Sequence, residues 1–234
     1  MSSRGLKGIP LRTHILNPGE DLREVVRRYT RQIARSGDVL AVAETPVAIT
    51  QGRIILPEEV RPGLLARIGC RFTGKEGSLT SPNTMQVAIQ MAGRTRTVVG
   101  FFLALLGRFF HVKGLFYRAV GPEVKLIDDV SGTMAPYERY IVLGPAGANQ
   151  VAEELKQAAG IPVMIVDTND LGKVDLVGIS SGFTPEMRRS CLEVLTSNPF
   201  GNGHEQTPLV LIRPTANKPG PRPIDGFRRH PYTI

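Results

Sequence analysis

The stretch Arg139-Tyr-Ile-Val-Leu-Gly-Pro-Ala-Gly-Ala-Asn-Gln-Val-Ala-Glu-Glu-Leu-Lys-Gln-Ala-Ala-Gly-Ile-Pro-Val-Met-Ile-Val-Asp-Thr-Asn-Asp170 decides the reading of the chain, because it parses as strand, helix, strand. Residues 139–144 are short, aromatic and β-branched, and Pro145 and Gly147 break them before a run of helix formers at 148–159. Gly160 then supplies the left-handed stop of that helix. Ile161-Pro-Val-Met-Ile-Val166 is continuously apolar, the pattern of a strand covered on both faces, and it delivers Asp167-Thr168-Asn169-Asp170 into a loop. In open α/β sheets, ligands collect beyond the carboxyl ends of strands. Carboxylate, hydroxyl and amide oxygens at that place are hard ligands suited to Mg²⁺ or Mn²⁺. The expected class is mixed α/β (α+β), a mixed sheet with flanking helices.

The preceding residues supply more strands and helices. Residues 9–16 read as a first strand, and Asn17-Pro-Gly19 as a turn into a helix burying Leu22, Val25, Val26, Tyr29 and Ile33. Arg23, Arg27, Arg31 and Arg35 form a stripe on that helix. No aromatics interleave with them, so a solvated face is the expected role over a phosphate ridge. Val39-Leu-Ala-Val-Ala43 is a second strand, whereas Pro46 argues against a regular central strand in the next ten residues. Residues 56–69 are expected to be helical after Pro57. Residues 69–75 spell Gly-x4-Gly-Lys, but Glu76 follows in place of Ser or Thr and no strand precedes, which excludes a P-loop. Ser81-Pro82 opens a helix with Met85, Ala88, Ile89 and Ala92 on one face.

Val98-Val-Gly-Phe-Phe-Leu-Ala-Leu-Leu-Gly107, followed by Arg108-Phe-Phe, is apolar over about half of the roughly 20 residues that a membrane span needs. A buried helix or an oligomer interface is the expected role. A loop-prone stretch then reaches Gly121-Pro122, and Val124-Lys-Leu-Ile127 reads as a short strand. It ends in Asp128-Asp129-Val-Ser131-Gly132, a second acidic tip. Downstream come a strand at 174–179, a helix opened by Thr184-Pro185-Glu186, the Gly-rich loop Phe200-Gly-Asn-Gly-His-Glu-Gln-Thr207 and a strand at 209–212. Residues 1–213 are expected to form one unit, with room for two intimately packed subdomains, and 214–234 a tail rich in Pro, Gly and Arg.

A net charge of +8 and a pI near 9.9 favour an anionic partner. On charge alone, nucleotide phosphates, acidic metabolites, nucleic acid and anionic lipid all qualify. Cys70 and Cys191 make no zinc-type spacing, and the first residues lack the apolar core of a signal peptide, which suggests a reducing, cytoplasmic setting. No Gly-x-Ser-x-Gly or His-Glu-x-x-His motif occurs, and no catalytic residue is assigned. Asp129, Asp167 and Thr168, with the polar loop Gly201, Asn202, Gly203, His204, Glu205 and Gln206, suit one metal site bridging phosphates. On pattern alone, an Asp in a loop after a strand is more often a turn or helix-cap residue than a metal ligand.

In order along the chain, Ile9-Pro10, Pro18-Gly19-Glu20-Asp21-Leu22, Gly37-Asp38-Val39-Leu40, Gly52-Arg53, Ile127-Asp128-Asp129-Val-Ser131, Leu143-Gly144-Pro145, Val166-Asp167-Thr168-Asn169 and Pro208-Leu-Val-Leu-Ile-Arg213 resemble the blocks of a known family. It is the family of γ-glutamyl ligases that add L-glutamate to the deazaflavin coenzyme F420. The resemblance implies an intertwined homodimer that binds a nucleotide and a small acidic metabolite, with nucleic acid and membrane not expected as partners, and that uses GTP with Mg²⁺ or Mn²⁺ to phosphorylate a carboxylate, which an amino group then attacks. It implies metal ligation by Asp129, Asp167, Thr168 and Asn202. It implies nucleotide contacts from Ile9, Pro10, Leu11, Arg12, Glu44, Thr45, Gly132 and the loop at 201–206, with Arg12 or Arg53 in place of the family's lysines. Where the family reads Lys-x-Val-Ser-Lys-x-Glu-Gly-Arg, this chain has Thr45-Pro-Val-Ala-Ile49-Thr-Gln51-Gly-Arg53. The alternatives are a non-catalytic relative that binds a nucleotide or acidic metabolite, and a basic binder of nucleic acid or a membrane surface.

Overall fold

The computed structural model describes residues 5–72, 79–112, 114–129, 135–169, 171–201 and 205–215. In chain order these form β1 (Leu6–Leu11), α1 (Leu22–Thr30), β2 (Val39–Ala43), α2 (Glu44–Thr50), β3 (Ile54–Ile55), α3 (Leu64–Gly69), α4 (Pro82–Ala92) and α5 (Arg94–Phe109). They continue as α6 (Leu115–Val120), α7 (Pro122–Lys125), β4 (Ile141–Val142), α8 (Ala148–Ala159), β5 (Val163–Thr168), β6 (Val174–Ile179), α9 (Pro185–Leu195) and β7 (Leu209–Pro214).

Five strands form a mixed sheet in the order β1-β7-β2-β5-β6, in which β2 and β5 are parallel neighbours and the other pairings are antiparallel. Alternate residues of β5 enter opposite cores. Val163 and Ile165 pack with Leu40, Val42 and the inner faces of α1 and α8, whereas Met164 and Val166 pack with Val39, Ala41 and α9. The apolar run therefore reports a strand covered on both faces, as expected. A third core, built on Leu79, Met85, Phe116, Ile127 and Ile141, binds α3, α4 and α6 to the two-stranded sheet β3-β4.

Local chemistry explains the helix ends. Asp21, Ser81 and Thr184 each accept a backbone N–H at the start of α1, α4 and α9, and Gly160, at φ 72°, closes α8.

The stretch at 139–170 departs from a simple strand-helix-strand unit in one respect. Its first strand, β4, pairs with β3 in the separate two-stranded sheet, so it is not the parallel partner of β5; β2 fills that place. Asp167 and Thr168 remain within β5, paired with Asp175 and Val174, so β5 runs two residues past its apolar run. The first strand covers 6–11 instead of 9–16, and α1 stops at Thr30, leaving Ile33 exposed. Arg61-Pro62-Gly63 splits the helix expected at 56–69 into a 3-10 turn at Pro57–Glu59 and α3. The loop expected before Gly121 holds α6. Val124 and Lys125 end the short helix α7, leaving only Asp128 to make a β-bridge with Val142.

Candidate active site

One edge of the five-stranded sheet gathers the chemistry. Because β2 and β5 are parallel, Ala43 and Val166 lie side by side and both chains reach their carboxyl ends there. The end of β1 and the starts of β7 and β6 meet the same edge, since those pairings are antiparallel. Glu44, Thr45, Asp167, Thr168, Asp175, Leu11 and Gln206 are therefore brought together from distant parts of the sequence, at the place where ligands collect in α/β sheets.

Glu44 follows β2 directly and opens α2, where its charge faces the positive end of the helix. Its side chain is nevertheless buried, at 4% exposure, and its Oε2 has no hydrogen-bond partner. Burial, then the charges of Asp128 and Asp167, push its pKa well above the usual carboxylate value. Asp128 reaches the same place from the two-stranded sheet. Its backbone exchanges hydrogen bonds with Val142 at 2.8 and 3.1 Å, and its Oδ2 accepts from Thr45 Oγ1 at 3.1 Å. Burial raises its pKa to about 6; the Thr45 hydrogen bond opposes this and the Asp167 charge adds to it.

Asp167 is raised by burial and by Asp175 across the strand pair, with Lys173 and Lys125 pulling the other way. Both ammonium groups converge on Asp175 Oδ2, at 2.6 Å from Lys125 Nζ and 2.9 Å from Lys173 Nζ. Burial works to raise Asp175 as well, but the two lysines outweigh it and keep that carboxylate below its usual range. The edge thus carries three carboxylates in electrostatic contact, flanked by a compact pair of cations.

Asp129, expected as a metal ligand, is turned away from this group. Its carboxylate accepts from Thr84 Oγ1 at 2.7 Å, Thr80 Oγ1 at 3.1 Å, and the Ser81 amide and hydroxyl at 3.3 Å, securing the start of α4. Neighbouring residues of an extended segment point to opposite sides, so presenting Asp128 to the sheet edge directs Asp129 to α4. Thr168 lies beside Asp167 and donates to Asn198 Oδ1 at 3.0 Å. Arg53 is committed to the Gly144 carbonyl, with its Nε at 2.6 Å. Ile9, Pro10 and Leu11 belong to β1 and pair with Leu211, Val210 and Leu209; Arg12 follows, exposed.

Gly201, at φ 73°, and Gln206 flank the Gly-rich loop, and the Gln206 carbonyl accepts the Thr13 amide at 2.8 Å, tying the loop to the end of β1. Glu205 lies against Gly201, closely enough that a Cβ there would overlap its carboxyl carbon. Gly132, Asn202, Gly203 and His204 lie outside the described residues, as does Asp170. Ile49, where the family has its second lysine, is buried with Ala48 against Tyr137 and Val142. Beside it a narrow cleft runs between Leu16, Pro46, Tyr137, Gln206 and Pro208.

Among the described residues no three His, Cys, Asp or Glu side chains close into a ready-made metal cage. Glu44, Asp128 and Asp167 are electrostatic neighbours, Asp167 the least buried of the three. That suits a cation completing its shell from phosphate and water, as Mg²⁺ commonly does when one or two carboxylates hold it. Asp128, Lys125, Lys173 and Asp175 are members of the site that sequence reading did not single out. The adjacent acids Asp128 and Asp129 marked that tip in the sequence without showing which one faces the site; nothing local marked the others.

A match to the F420-0:Gamma-glutamyl ligase family covers residues 10–170, which includes Glu44, Thr45, Asp128, Asp129, Asp167 and Thr168. One curated relative, the coenzyme F420:L-glutamate ligase of Methanopyrus kandleri, is 25% identical over 184 residues, 76% of this chain. The chain spans 65% of that relative's length. With more than half of its length matched, the chain belongs to the F420-0:γ-glutamyl ligase family.

Proposed function

We propose that this protein is an amide-bond-forming ligase. A nucleoside triphosphate, GTP by family analogy, activates a substrate carboxylate, and the amino group of an amino acid such as L-glutamate displaces the phosphate. The observation that carries the reading is the buried, unpaired Glu44 Oε2 facing Asp128 and Asp167 at the carboxyl edge of parallel strands. A charged carboxylate buried without a partner is costly; protonation relieves that cost in the metal-free protein, and a bound cation would relieve it with the proton released.

Glu44, Asp128 and Asp167 would hold Mg²⁺ or Mn²⁺, with the Thr168 hydroxyl oxygen adjacent. Bound there, the cation would neutralise phosphate oxygens during transfer. The backbone around Gly201 and Gln206 would line the phosphate path, and Asp128 is held in place by Thr45. The lysines that the family carries at positions 45 and 49 are replaced by a hydroxyl engaged with Asp128 and by a core isoleucine, so neither position offers a cation to phosphate. Lys125 and Lys173, paired on Asp175 and within electrostatic reach of Asp167, would supply that charge instead.

Calorimetric titration with GTP and ATP, each with and without Mg²⁺ or Mn²⁺, tests the reading. Metal-dependent binding of one nucleotide is expected, weakened at least about tenfold by Asp167→Asn. Incubation with F420-0, L-glutamate and the bound nucleotide is then expected to release phosphate and add one glutamate. Absence of metal-dependent binding of either nucleotide would overturn the proposal. Binding without turnover would leave a nucleotide-binding relative, the reading that the replaced lysines favour.

A further inference from the structure

The helix α5 is built inside out for a soluble protein. Two of its inward positions are glycines: Gly100 and Gly107 let Phe116, Val120 and Leu115 of α6 approach so closely that a Cβ on either would crowd them. Its bulky residues face the other way. Val98, Phe102, Leu105 and Phe109 recur at i, i+4, i+7 and i+11, on one helical face, and Phe102, Leu105 and Phe109 are 61%, 61% and 79% exposed. The Phe101 ring lies on Gly69 and ties α5 to α3, where Leu64 and Ile68, and Phe72 just after it, are also exposed. A contiguous apolar surface of this kind marks a contact surface.

The charge around it selects the partner. Residues 60–121 contain nine Lys and Arg and a single acid, Glu76, a net of +8; the rest of the chain holds twenty charges of each sign and sums to zero. The whole excess charge of the protein thus lies in the segment that carries the apolar face. Arg67 and Arg71 on and after α3, and Arg94 and Arg108 on α5, are exposed, and none forms an ion pair among the described residues. A second copy docked face to face would set these unpaired arginines against their own counterparts. No helix is long and apolar enough to cross a bilayer among the described residues, whereas an apolar face fringed by arginine is the composition of a helix lying in the headgroup plane.

We infer that the α3–α5 face docks on an anionic phospholipid surface, with Phe102, Leu105 and Phe109 entering the headgroup–acyl boundary and the arginines pairing with lipid phosphates. This stands independently of the ligase reading, since it uses none of the residues at the sheet edge. It departs from the sequence expectation, which favoured burial or an oligomer interface for this segment.

Because the chain contains no tryptophan, Phe109→Trp in the full-length protein places a single indole on the face. Its emission is expected to shift to the blue with vesicles of equal parts phosphatidylcholine and phosphatidylglycerol. Co-sedimentation should be on the order of tenfold or more stronger than with phosphatidylcholine alone, and should weaken with salt. Leu105→Glu and Arg94→Gln/Arg108→Gln, both at exposed positions, should each lose most of that binding with an unchanged thermal melt. No association with the anionic vesicles, or equal association with neutral ones, would overturn the inference. So would a concentration-dependent dimer in sedimentation velocity that Leu105→Glu abolishes while vesicles are ignored; that result would assign the face to a second copy.

Discussion

Thr45 Oγ1 donates to Asp128 Oδ2 at 3.1 Å, joining residues 83 positions apart and locking the end of β2 to the segment that leads into β4. The contact gives an unusually buried carboxylate a donor and gives position 45 a structural task in place of the family's lysine. Thr45→Val keeps the shape and removes the donor, so it should cost about 1 kcal/mol in urea denaturation. Thr45→Ser should restore most of it.

The neighbours Asp128 and Asp129 should respond in opposite ways. Asp129→Asn weakens the charged acceptor that four donors share at the start of α4, and should lose about 1–2 kcal/mol of stability while leaving the thermal shift induced by Mn²⁺ and nucleotide intact. Asp128→Asn should abolish that shift. If Asp129→Asn alone abolished it, Asp128 would not be the residue facing the cation.

Much of the fold was legible locally. The strand at Val39–Ala43, the helices at Ala148–Ala159 and Pro185–Leu195 and the strand β7 announce themselves by composition, caps and glycine stops. The pairing was not legible. That β5 takes β2 as its parallel neighbour instead of the adjacent β4 depends on the long excursion at 44–162, which carries α3 to α7 away from the sheet. For the same reason Asp167 could be read from its place at a strand tip. Asp128 could not be chosen over Asp129 until its bridge to Val142 fixed the alternation. Lys125 and Lys173 were invisible as a pair because only folding brings them onto one oxygen of Asp175.

Glu44 is a cost to the metal-free protein, since burial and two neighbouring acids oppose its charge. In Glu44→Gln the amide donates where the carboxylate repelled. The metal-free variant should therefore melt higher than the parent at pH 8, by on the order of 1 kcal/mol, and should no longer be stabilised by Mn²⁺. A variant that melts lower would show that Glu44 holds a stabilising contact in the absence of metal.

Asp38 supplies the acid limb of stability. Burial, at 1% exposure, works to raise its pKa, but hydrogen bonds from Arg213 Nε at 3.0 Å, the Arg213 guanidinium at 2.7 Å and the Arg35 amide at 2.9 Å outweigh it and hold it below the usual value. The folded pKa is lowered, so the contribution is fully present above the unfolded value near 4 and is lost as pH falls through the folded one. Chemical denaturation at pH 3 and pH 6 should show this drop, and Asp38→Asn should remove it while costing on the order of 2 kcal/mol at pH 6.

Lys125 and Lys173 share one oxygen of Asp175 while standing close enough to Asp167 to draw its pKa down. A single carboxylate does not neutralise two ammonium groups, so this corner keeps a net positive charge beside the acids that would hold the cation. If the pair has taken over the phosphate-facing role that positions 45 and 49 no longer fill, Lys173→Met should weaken GTP binding about tenfold in the presence of Mg²⁺, with a smaller effect on GDP, which lacks the terminal phosphate. Lys173→Arg should retain most of the affinity. The double variant Lys125→Met/Lys173→Met frees Asp175 to repel Asp167 across β5 and β6, so it should bind neither nucleotide and also lose stability. Equal losses for GTP and GDP would place the lysines away from the terminal phosphate. No loss in Lys173→Met would leave them a structural clamp on Asp175.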